Sequence, residues 1–398
     1  MNPAAPDRVD FYAPGYLVIE GGTVLRLSHE NPLPEFPGAD FRDLKDKIIL
    51  PGFVDAHVHL PQFAIMGIGR GELLYWLNTC TYPEEARFAD PAYAEKISTA
   101  FFNELVANGT TTAAIYCSVH EHATDIAFQA ARARGVRAFI GKVMMDRNSP
   151  ASLLENTEDS VRASARLFEK WDNADGGRLR YVFTPRFAGS CSMPLMQRVG
   201  EIARETEAFM QSHLSENEDE VRWIAELFPD LPSYATVYDA AGLLTERTIM
   251  AHCIHLSPEE IDLLAKRRTT VAFCPYSNRT LRSGTMPYRT LQNGGLSIAL
   301  GTDVAGGPSL SMLEQMREAV DATGMTPKEA LHLATLAGAS ALGLSDRIGS
   351  FVPGKDADFV VADANAYGTP EDALSTLCLR GRKTSIAEVY VRGNLVYF

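Results

Sequence analysis

The sequence contains no long uninterrupted apolar run. Although 46% of its 398 residues are hydrophobic, no window approaches the roughly 18 consecutive apolar residues that a membrane-spanning helix needs. Residues 1–10 also lack a basic stretch followed by an apolar one, so we expect no secretory signal there. We therefore predict neither a membrane segment nor a membrane partner.

Cysteine is scarce, and the six cysteines form no Cys-x-x-Cys pair. This scattered pattern fits neither a disulfide framework nor a cysteine-based zinc site, and it predicts a reduced, cytoplasmic protein. Basic residues are also outnumbered, with 37 Lys and Arg against 50 Asp and Glu, a net charge of −13. Such a balance argues against a nucleic-acid partner, because phosphate backbones are bound by basic surfaces.

What the chain does contain is a regular alternation. From Pro51 to Ser345, apolar runs typical of buried strands alternate with longer segments of helical periodicity. The predicted strands are 54–59, 111–117, 138–145, 181–187, 209–215, 249–253, 270–274 and 297–303. The predicted helices include 91–107, 120–134, 152–171, 193–207, 217–227, 309–323, 326–342 and one that begins at Ser257. This order predicts an α/β fold, a (β/α)8 TIM-type barrel over residues 51–345.

The two ends of the chain, residues 1–50 and 346–398, read as strands of a different kind. Two apolar runs flank Gly21-Gly22, which predicts a hairpin. Residues 348–363 and 386–398 are β-branched and alternating. Because neither end supplies a sheet of its own, we expect both to meet in one small β-sandwich domain. We predict that the segments 66–89 and 228–244 are loops.

Side chains that bind metals close several of the predicted barrel strands. His57 and His59 are separated by one residue and therefore point to the same face of the first strand. His213, His252 and Asp303 close the fifth, sixth and eighth strands. Since the carboxyl ends of barrel strands meet at one rim, we expect these groups to converge.

Three neutral imidazoles and one carboxylate suit Zn²⁺, and iron and manganese ions remain alternatives. The predicted ligands are His57, His59, His213 and Asp303. The fourth strand ends in Arg186-Phe187 without the lysine that bridges two metals in many barrel sites, so we predict one ion per subunit. A water in the open position would become a hydroxide nucleophile near neutral pH.

Two further residues are predicted to act in proton transfer. Glu216 follows His213 by three residues, beside the metal ligands, and is a candidate general acid. It would also suit the first turn of the next helix. His252 either orients the attacking hydroxide or provides a fifth ligand.

Several motifs make the chain similar to the amidohydrolase superfamily, and in particular to its guanine deaminase branch. They are Pro-Gly-Phe-Val-Asp-Ala-His-Val-His (51–59), Thr-Pro-Arg-Phe (184–187), Ser-His-Leu-Ser-Glu-Asn (212–217) and Gly-Thr-Asp-Val-Ala-Gly-Gly (301–307). The resemblance implies a zinc-dependent hydrolase of purine catabolism that converts guanine and water to xanthine and ammonia. It implies a homodimer with the same four zinc ligands, and Asp303 and Glu216 as the groups that move protons. The implied substrate contacts are Gln62, Arg186, Phe187, His213 and Glu216.

The chain departs from this family in one motif. Phe273 and Tyr276 stand where many members have His and Asn, and Arg279 and Arg282 follow in a loop expected near the pocket mouth. These changes keep open an alternative function, in which the enzyme deaminates another amino-substituted heterocycle: a pterin, an 8-oxopurine or an aminotriazine.

Overall fold

The protein is described by a computed structural model over residues 1–68, 71–363 and 368–398. The strands that precede the barrel are β1 (Asn2–Ala5), β2 (Arg8–Asp10), β3 (Tyr16–Glu20), β4 (Thr23–Ser28) and β5 (Lys47–Pro51). The barrel strands are β6 (Phe53–His59), β7 (Thr110–Tyr116), β8 (Arg137–Gly141), β9 (Val143–Met144), β10 (Leu179–Pro185), β11 (Phe209–Leu214), β12 (Thr248–His252), β13 (Thr270–Phe273) and β14 (Ser297–Leu300). The C-terminal strands are β15 (Phe359–Asp363), β16 (Ile386–Val391) and β17 (Asn394–Tyr397).

Neighbouring barrel strands pair in parallel, in the order β6, β7, β8, β10, β11, β12, β13, β14. β9 continues β8 after Lys142 and pairs with β10. At the carboxyl rim, the Asp303 amide donates to the His57 carbonyl at 2.9 Å, and the His59 amide donates to the Val304 carbonyl at 3.2 Å. These bonds join the first strand to the chain just beyond the last, which confirms the predicted barrel.

Helices follow the barrel strands and cover their outer faces, as right-handed crossovers require. The helices are α1 (Leu73–Trp76), α2 (Tyr82–Ala86), α3 (Pro91–Ala107), α4 (Glu121–Arg134), α5 (Thr157–Trp171), α6 (Ala174–Gly177), α7 (Met193–Thr206), α8 (Glu218–Leu227), α9 (Tyr234–Ala240), α10 (Pro258–Arg267), α11 (Pro275–Thr280), α12 (Tyr288–Asn293), α13 (Met312–Thr323), α14 (Pro327–His332), α15 (Gly338–Ala341) and α16 (Pro370–Arg380). Among the described residues, no helix combines the length and apolar character needed to cross a membrane.

The barrel interior beneath the site is filled by small inward-facing residues. Ala56, Ala114, Ala251, Ala272 and Ala299 are buried in one cluster with larger apolar side chains. The cluster includes residues from the turn after α15, which packs against β6 and β14. The packed interior provides a rigid floor for the groups at the rim.

Both chain ends contribute to one antiparallel sheet. β5 pairs with β15 along its whole length, and β16 and β17 extend the same sheet. β3 and β4 form the predicted hairpin, and Gly21 and Gly22 turn with φ of 57° and 84°, a left-handed conformation that glycine adopts without steric cost. The terminal sheet is therefore confirmed.

Three local predictions were wrong. Residues 348–358 are not strand, because Gly349 and Gly354 turn the chain with φ of 85° and 93°. α16 was not predicted, although Thr369 caps it through a capping box with Asp372. The two segments predicted as loops contain short helices, α1 and α2 in the first and α9 in the second.

Candidate active site

The predicted metal ligands all lie at the carboxyl rim of the barrel. His57 and His59 end β6, His213 lies near the end of β11, and Asp303 follows β14. The side chains of His57, His59 and Asp303 are almost fully buried, and His213 is half-buried. Asp303 adopts a left-handed backbone conformation with φ of 47°, as does His252 with φ of 72°. Such backbone strain in non-glycine residues is concentrated at functional sites.

The ligand atoms of these residues meet at one point. His59 Nε2 lies 3.2 Å from His57 Nε2, 3.1 Å from His213 Nε2 and 3.4 Å from Asp303 Oδ1. The edge of a tetrahedron around zinc, with metal–nitrogen bonds of 2.0–2.1 Å, is about 3.3–3.4 Å. His213 Nδ1 donates to the Arg186 carbonyl at 2.7 Å, which leaves its Nε2 lone pair facing the cluster. The donor set therefore fits a small divalent cation.

The protonation states favour a cation as well. Burial lowers the pKa of His57, and it lowers the pKa values of His59 and His213 well below the ordinary value. Burial would raise the pKa of Asp303, but its hydrogen bond to His57 and the surrounding imidazoles of His57, His252 and His59 together outweigh that effect, and the pKa falls. Neutral imidazoles and an ionised carboxylate are the ligand forms that a metal requires.

His252 and Glu216 adjoin this cluster. His252 Nε2 lies 3.4 Å from Glu216 Oε2 and 3.9 Å from Asp303 Oδ2. The ligand atoms of His252, His57, His213 and Asp303 lie within 4.8 Å of one another, so the fifth-ligand alternative for His252 stays open. Burial, together with the nearby Asp303 carboxylate, raises the pKa of Glu216 to about 7. A carboxyl group poised near neutrality is suited to transfer protons in either direction.

One segment after β13 hydrogen-bonds three of these groups. Ser277 donates to Asp303 Oδ2, Asn278 Oδ1 accepts from His252 Nδ1 at 2.9 Å, and Ser283 donates to Glu216 Oε1 at 3.1 Å. We call residues 277–283 the positioning segment. Its side chains fix the orientation of the groups that contact the reacting atoms.

A second polar network joins the predicted substrate contacts. Arg186 forms a buried ion pair with Glu85, which lies on α2. Gln62 Nε2 donates to the other oxygen of Glu85 at 2.9 Å, and Gln62 Oε1 accepts from the Ala305 amide at 3.0 Å. The amide orientation of Gln62 and one edge of the Arg186 guanidinium are thereby fixed.

A cavity opens over these groups, with polar side chains at its floor and apolar side chains on its walls, the combination typical of small-molecule sites. Every predicted site residue lines it except His57, which is buried against Asp303. Its apolar walls are Leu73, Trp76, Leu77, Phe187 and Leu281.

Phe273 and Tyr276, which depart from the family motif, and the two arginines that follow them do not line this cavity in the described part of the chain. Phe273 is buried in the core, and Arg279 pairs with Glu318 at 2.9 Å on the outside of α11, over the ring of Tyr276. Arg282 is exposed. Among the described residues, neither Arg279 nor Arg282 lines the cavity, so we expect neither to contact a ligand bound there.

Residue patterns alone missed Glu85, Glu220, Asn278 and Ser283. Ser277 and Asn278 lie within the motif at 273–278, and two polar residues there could have indicated a role in the site. Glu85 follows another glutamate in an ordinary helical segment, and no local signal distinguishes the two.

Comparison with known proteins places these features in a family. Residues 48–396 match the Amidohydrolase family. The chain is 39% identical to a guanine deaminase of Escherichia coli, and the match covers 97% of this chain and 92% of that protein. The crystal structure of guanine deaminase from C. acetobutylicum with bound guanine has a TM-score of 0.95 and 34% identity, covering 99% of this chain and 97% of the other. An adenosine deaminase from Xanthomonas campestris with bound zinc has a TM-score of 0.84 and 25% identity, covering 96% and 88%.

Proposed function

Since this chain belongs to the amidohydrolase family, in its guanine deaminase branch, we propose that it hydrolyses guanine to xanthine and ammonia. The observation that carries the proposal is a single cavity onto which the ligand cluster, Glu216 and the Arg186 guanidinium all open. These three features provide for activation of water, proton transfer and recognition of an oxopurine.

Arg186 and Phe187 hold the base in this proposal. The guanidinium N–H groups that Glu85 leaves free donate to the O6 and N7 acceptors of guanine, a pairing that suits the planar donor geometry of arginine. Phe187 provides an apolar wall for the purine ring. Gln62, with its amide orientation fixed, presents its remaining N–H to the ring edge. His213 contacts the base from the ligand side.

Proton transfers fall to Glu216 and Asp303. Glu216 protonates the ring nitrogen next to the amine-bearing carbon, which makes that carbon electrophilic. Asp303 accepts a proton from the attacking water and passes it to the departing amine. His252, held by Asn278 and facing both carboxylates, orients the water. Water adds to the carbon, the carbon–nitrogen bond breaks, and ammonia leaves with the proton from Asp303. The remaining hydroxyl proton passes to Glu216 as the new carbonyl forms, which restores the acid.

We propose Zn²⁺ as the ion, one per subunit, held by His57, His59, His213 and Asp303. When bound, it supplies Lewis-acid activation of water near neutral pH. The three-nitrogen, one-oxygen donor set and the zinc-bound adenosine deaminase relative support zinc over iron or manganese.

Three further properties are part of the proposal. The six cysteines are unpaired, which supports a reducing cytoplasmic location. A homodimer and a role in purine catabolism are expected from the family resemblance. We also keep the domain boundaries at 50/51 and 345/346.

The test is ammonia release from guanine, adenine, a pterin and an aminotriazine by zinc-loaded protein. We expect turnover of guanine far above that of the others. Glu216→Gln should abolish turnover while zinc content and guanine binding persist. Glu218→Gln, a neighbouring acid exposed on α8, is the matched control and should be fully active. Preference for another heterocycle, or near-native turnover by Glu216→Gln, would contradict the proposal.

A further inference from the structure

Glu85 is a buried acid that the proposed reaction does not use. Its side chain is 2% exposed, and its two oxygens accept hydrogen bonds from two of the predicted substrate contacts, Arg186 and Gln62. Burial would lower the pKa of Arg186, but Glu85 beside it outweighs that effect and raises the pKa, so the guanidinium stays charged. A buried acid in this place controls the charge that the cavity presents to a ligand.

The other ionisable groups near Arg186 cannot neutralise it. Burial raises the pKa of the Tyr82 phenol and, even more, that of the Tyr116 phenol, so both stay uncharged. Compensation of the guanidinium charge therefore depends on Glu85.

The remaining acids of the cavity are bonded elsewhere. Glu216 faces His252 at 3.4 Å, and Asp303 bonds His57 at 3.1 Å. Glu220 accepts from the Tyr234 hydroxyl at 2.8 Å and from the backbone amide of Glu216 at 2.9 Å.

We propose that Glu85 determines specificity by ligand charge: it keeps the Arg186 end of the cavity neutral, so that a neutral oxopurine binds and an anionic one does not. This inference rests on the proposed function. Guanine is neutral near pH 7, whereas the second ring carbonyl makes xanthine acidic enough to be partly anionic there. A bare guanidinium would retain the xanthine anion by charge-assisted hydrogen bonds. Glu85 thus favours release of the product, and it orients Arg186 and Gln62 for the substrate.

Glu84, the residue before Glu85 in the chain, provides a matched control. Glu84 lies on the same helix, α2, and is also buried, but it pairs with Arg87 at 2.9 Å and with the Tyr93 hydroxyl. Among the described residues, neither glutamate lines the cavity, but Glu85 contacts Arg186 and Gln62, which do, and Glu84 contacts neither of them. Glu84→Gln therefore removes one negative charge from a buried position on the same helix, as Glu85→Gln does, but it leaves the partner of Arg186 in place.

The experiment measures xanthine binding by calorimetry, together with KM and kcat for guanine, on both sides of the xanthine pKa. In the wild type, xanthine should bind no more tightly as the anion than as the neutral base. In Glu85→Gln, the anion should bind at least about tenfold more tightly than the neutral form, because one unpaired charge acts at short range in a buried site. The KM for guanine should rise, and xanthine should become a strong product inhibitor. Glu84→Gln should match the wild type.

Two more variants keep the test decisive if Glu85→Gln folds poorly. Glu85→Asp retains the charge and should keep the wild-type preference. Arg186→Gln leaves Glu85 unpaired and should reverse the effect, so that the xanthine anion binds more weakly than neutral xanthine. An unchanged ratio of anion to neutral affinity in Glu85→Gln and Arg186→Gln would overturn the inference. If the wild type does not deaminate guanine, the proposed function fails instead, and calorimetry with xanthine separates the two results.

Discussion

Replacing Asn278 by alanine should reduce catalysis far more than it reduces stability. Asn278 Oδ1 accepts the hydrogen bond from His252 Nδ1 at 2.9 Å, and both residues are buried, with 2% and 1% of their surface exposed. Alanine removes this acceptor, and bulk water cannot replace it at that depth. The ring of His252 then loses the contact that fixes its rotation and its proton on Nδ1.

The size of the effect follows from the unsatisfied donor. A buried N–H group without an acceptor costs about 1–3 kcal/mol. If His252 acts on the attacking water, the same misorientation raises the barrier, and 1–3 kcal/mol corresponds to a loss of about 5- to 150-fold in kcat/KM. We expect KM to change little, because the amide of Asn278 does not line the cavity in the described structure.

The assay is steady-state guanine deamination by zinc-loaded protein, with thermal unfolding measured on the same samples. Asn156→Ala is the matched control, since Asn156 caps α5 by accepting from the Glu158 and Asp159 amides, remote in the chain from the cavity residues. Loss of that cap should cost about 1 kcal/mol of stability without affecting kcat. Asn278→Asp keeps an acceptor for His252 and should recover much of the lost rate. If Asn278→Ala keeps kcat/KM within about twofold of the wild type, the loss is smaller than a missing buried acceptor should cause. The proposal that His252 orients the water would then be wrong.

Three other outcomes are expected. Ser283→Ala removes the hydroxyl that donates to Glu216, so kcat should fall by roughly 10- to 100-fold with zinc content unchanged, and a normal kcat would contradict the positioning role. Arg137→Met removes a fully buried guanidinium from Asp356 at 2.6 Å and from the buried Asp358 at 3.4 Å and should lower the free energy of unfolding by about 3–5 kcal/mol. Arg166→Met replaces an exposed arginine paired with Glu121 and should cost no more than about 1 kcal/mol. Removal of metal by a chelator should abolish turnover and lower the unfolding temperature, and zinc at about a thousand times its Kd should restore about 4 kcal/mol while magnesium should not; full activity in metal-free protein would refute the ligand assignment.

The sequence was sufficient wherever the signal was local. His57 and His59 could be assigned to one face because strand alternation is a property of neighbouring residues. The barrel followed from eight apolar runs, each of which ends in the structure within a few residues of its predicted end. The strand prediction for Ile348 to Asp358 was wrong because it gave more weight to the β-branched residues than to Gly349 and Gly354. The turns at these two glycines determine the path of the chain there.

The Arg186 network could not be predicted because it depends on distant segments. Glu85 lies 101 residues before Arg186 in the chain, and only the docking of α2 decides that Glu85, and not Glu84, contacts Arg186. The positioning segment poses the same difficulty, since Ser283 and Glu216 are 67 residues apart. Charge pairs of this kind are set by tertiary packing, and helical propensity carries no information about them.

The hydrogen bonds that join β6 to the chain after β14 have a consequence for how the protein matures. They run from the Asp303 amide to the His57 carbonyl, so ring closure and convergence of the four ligands are one event. A ribosome-bound chain that has not yet released residue 303 contains the three imidazoles but lacks the carboxylate that completes the predicted ligand set. We therefore expect tight binding of an ion only after the last strand has docked, so that a bound ion would indicate a closed barrel.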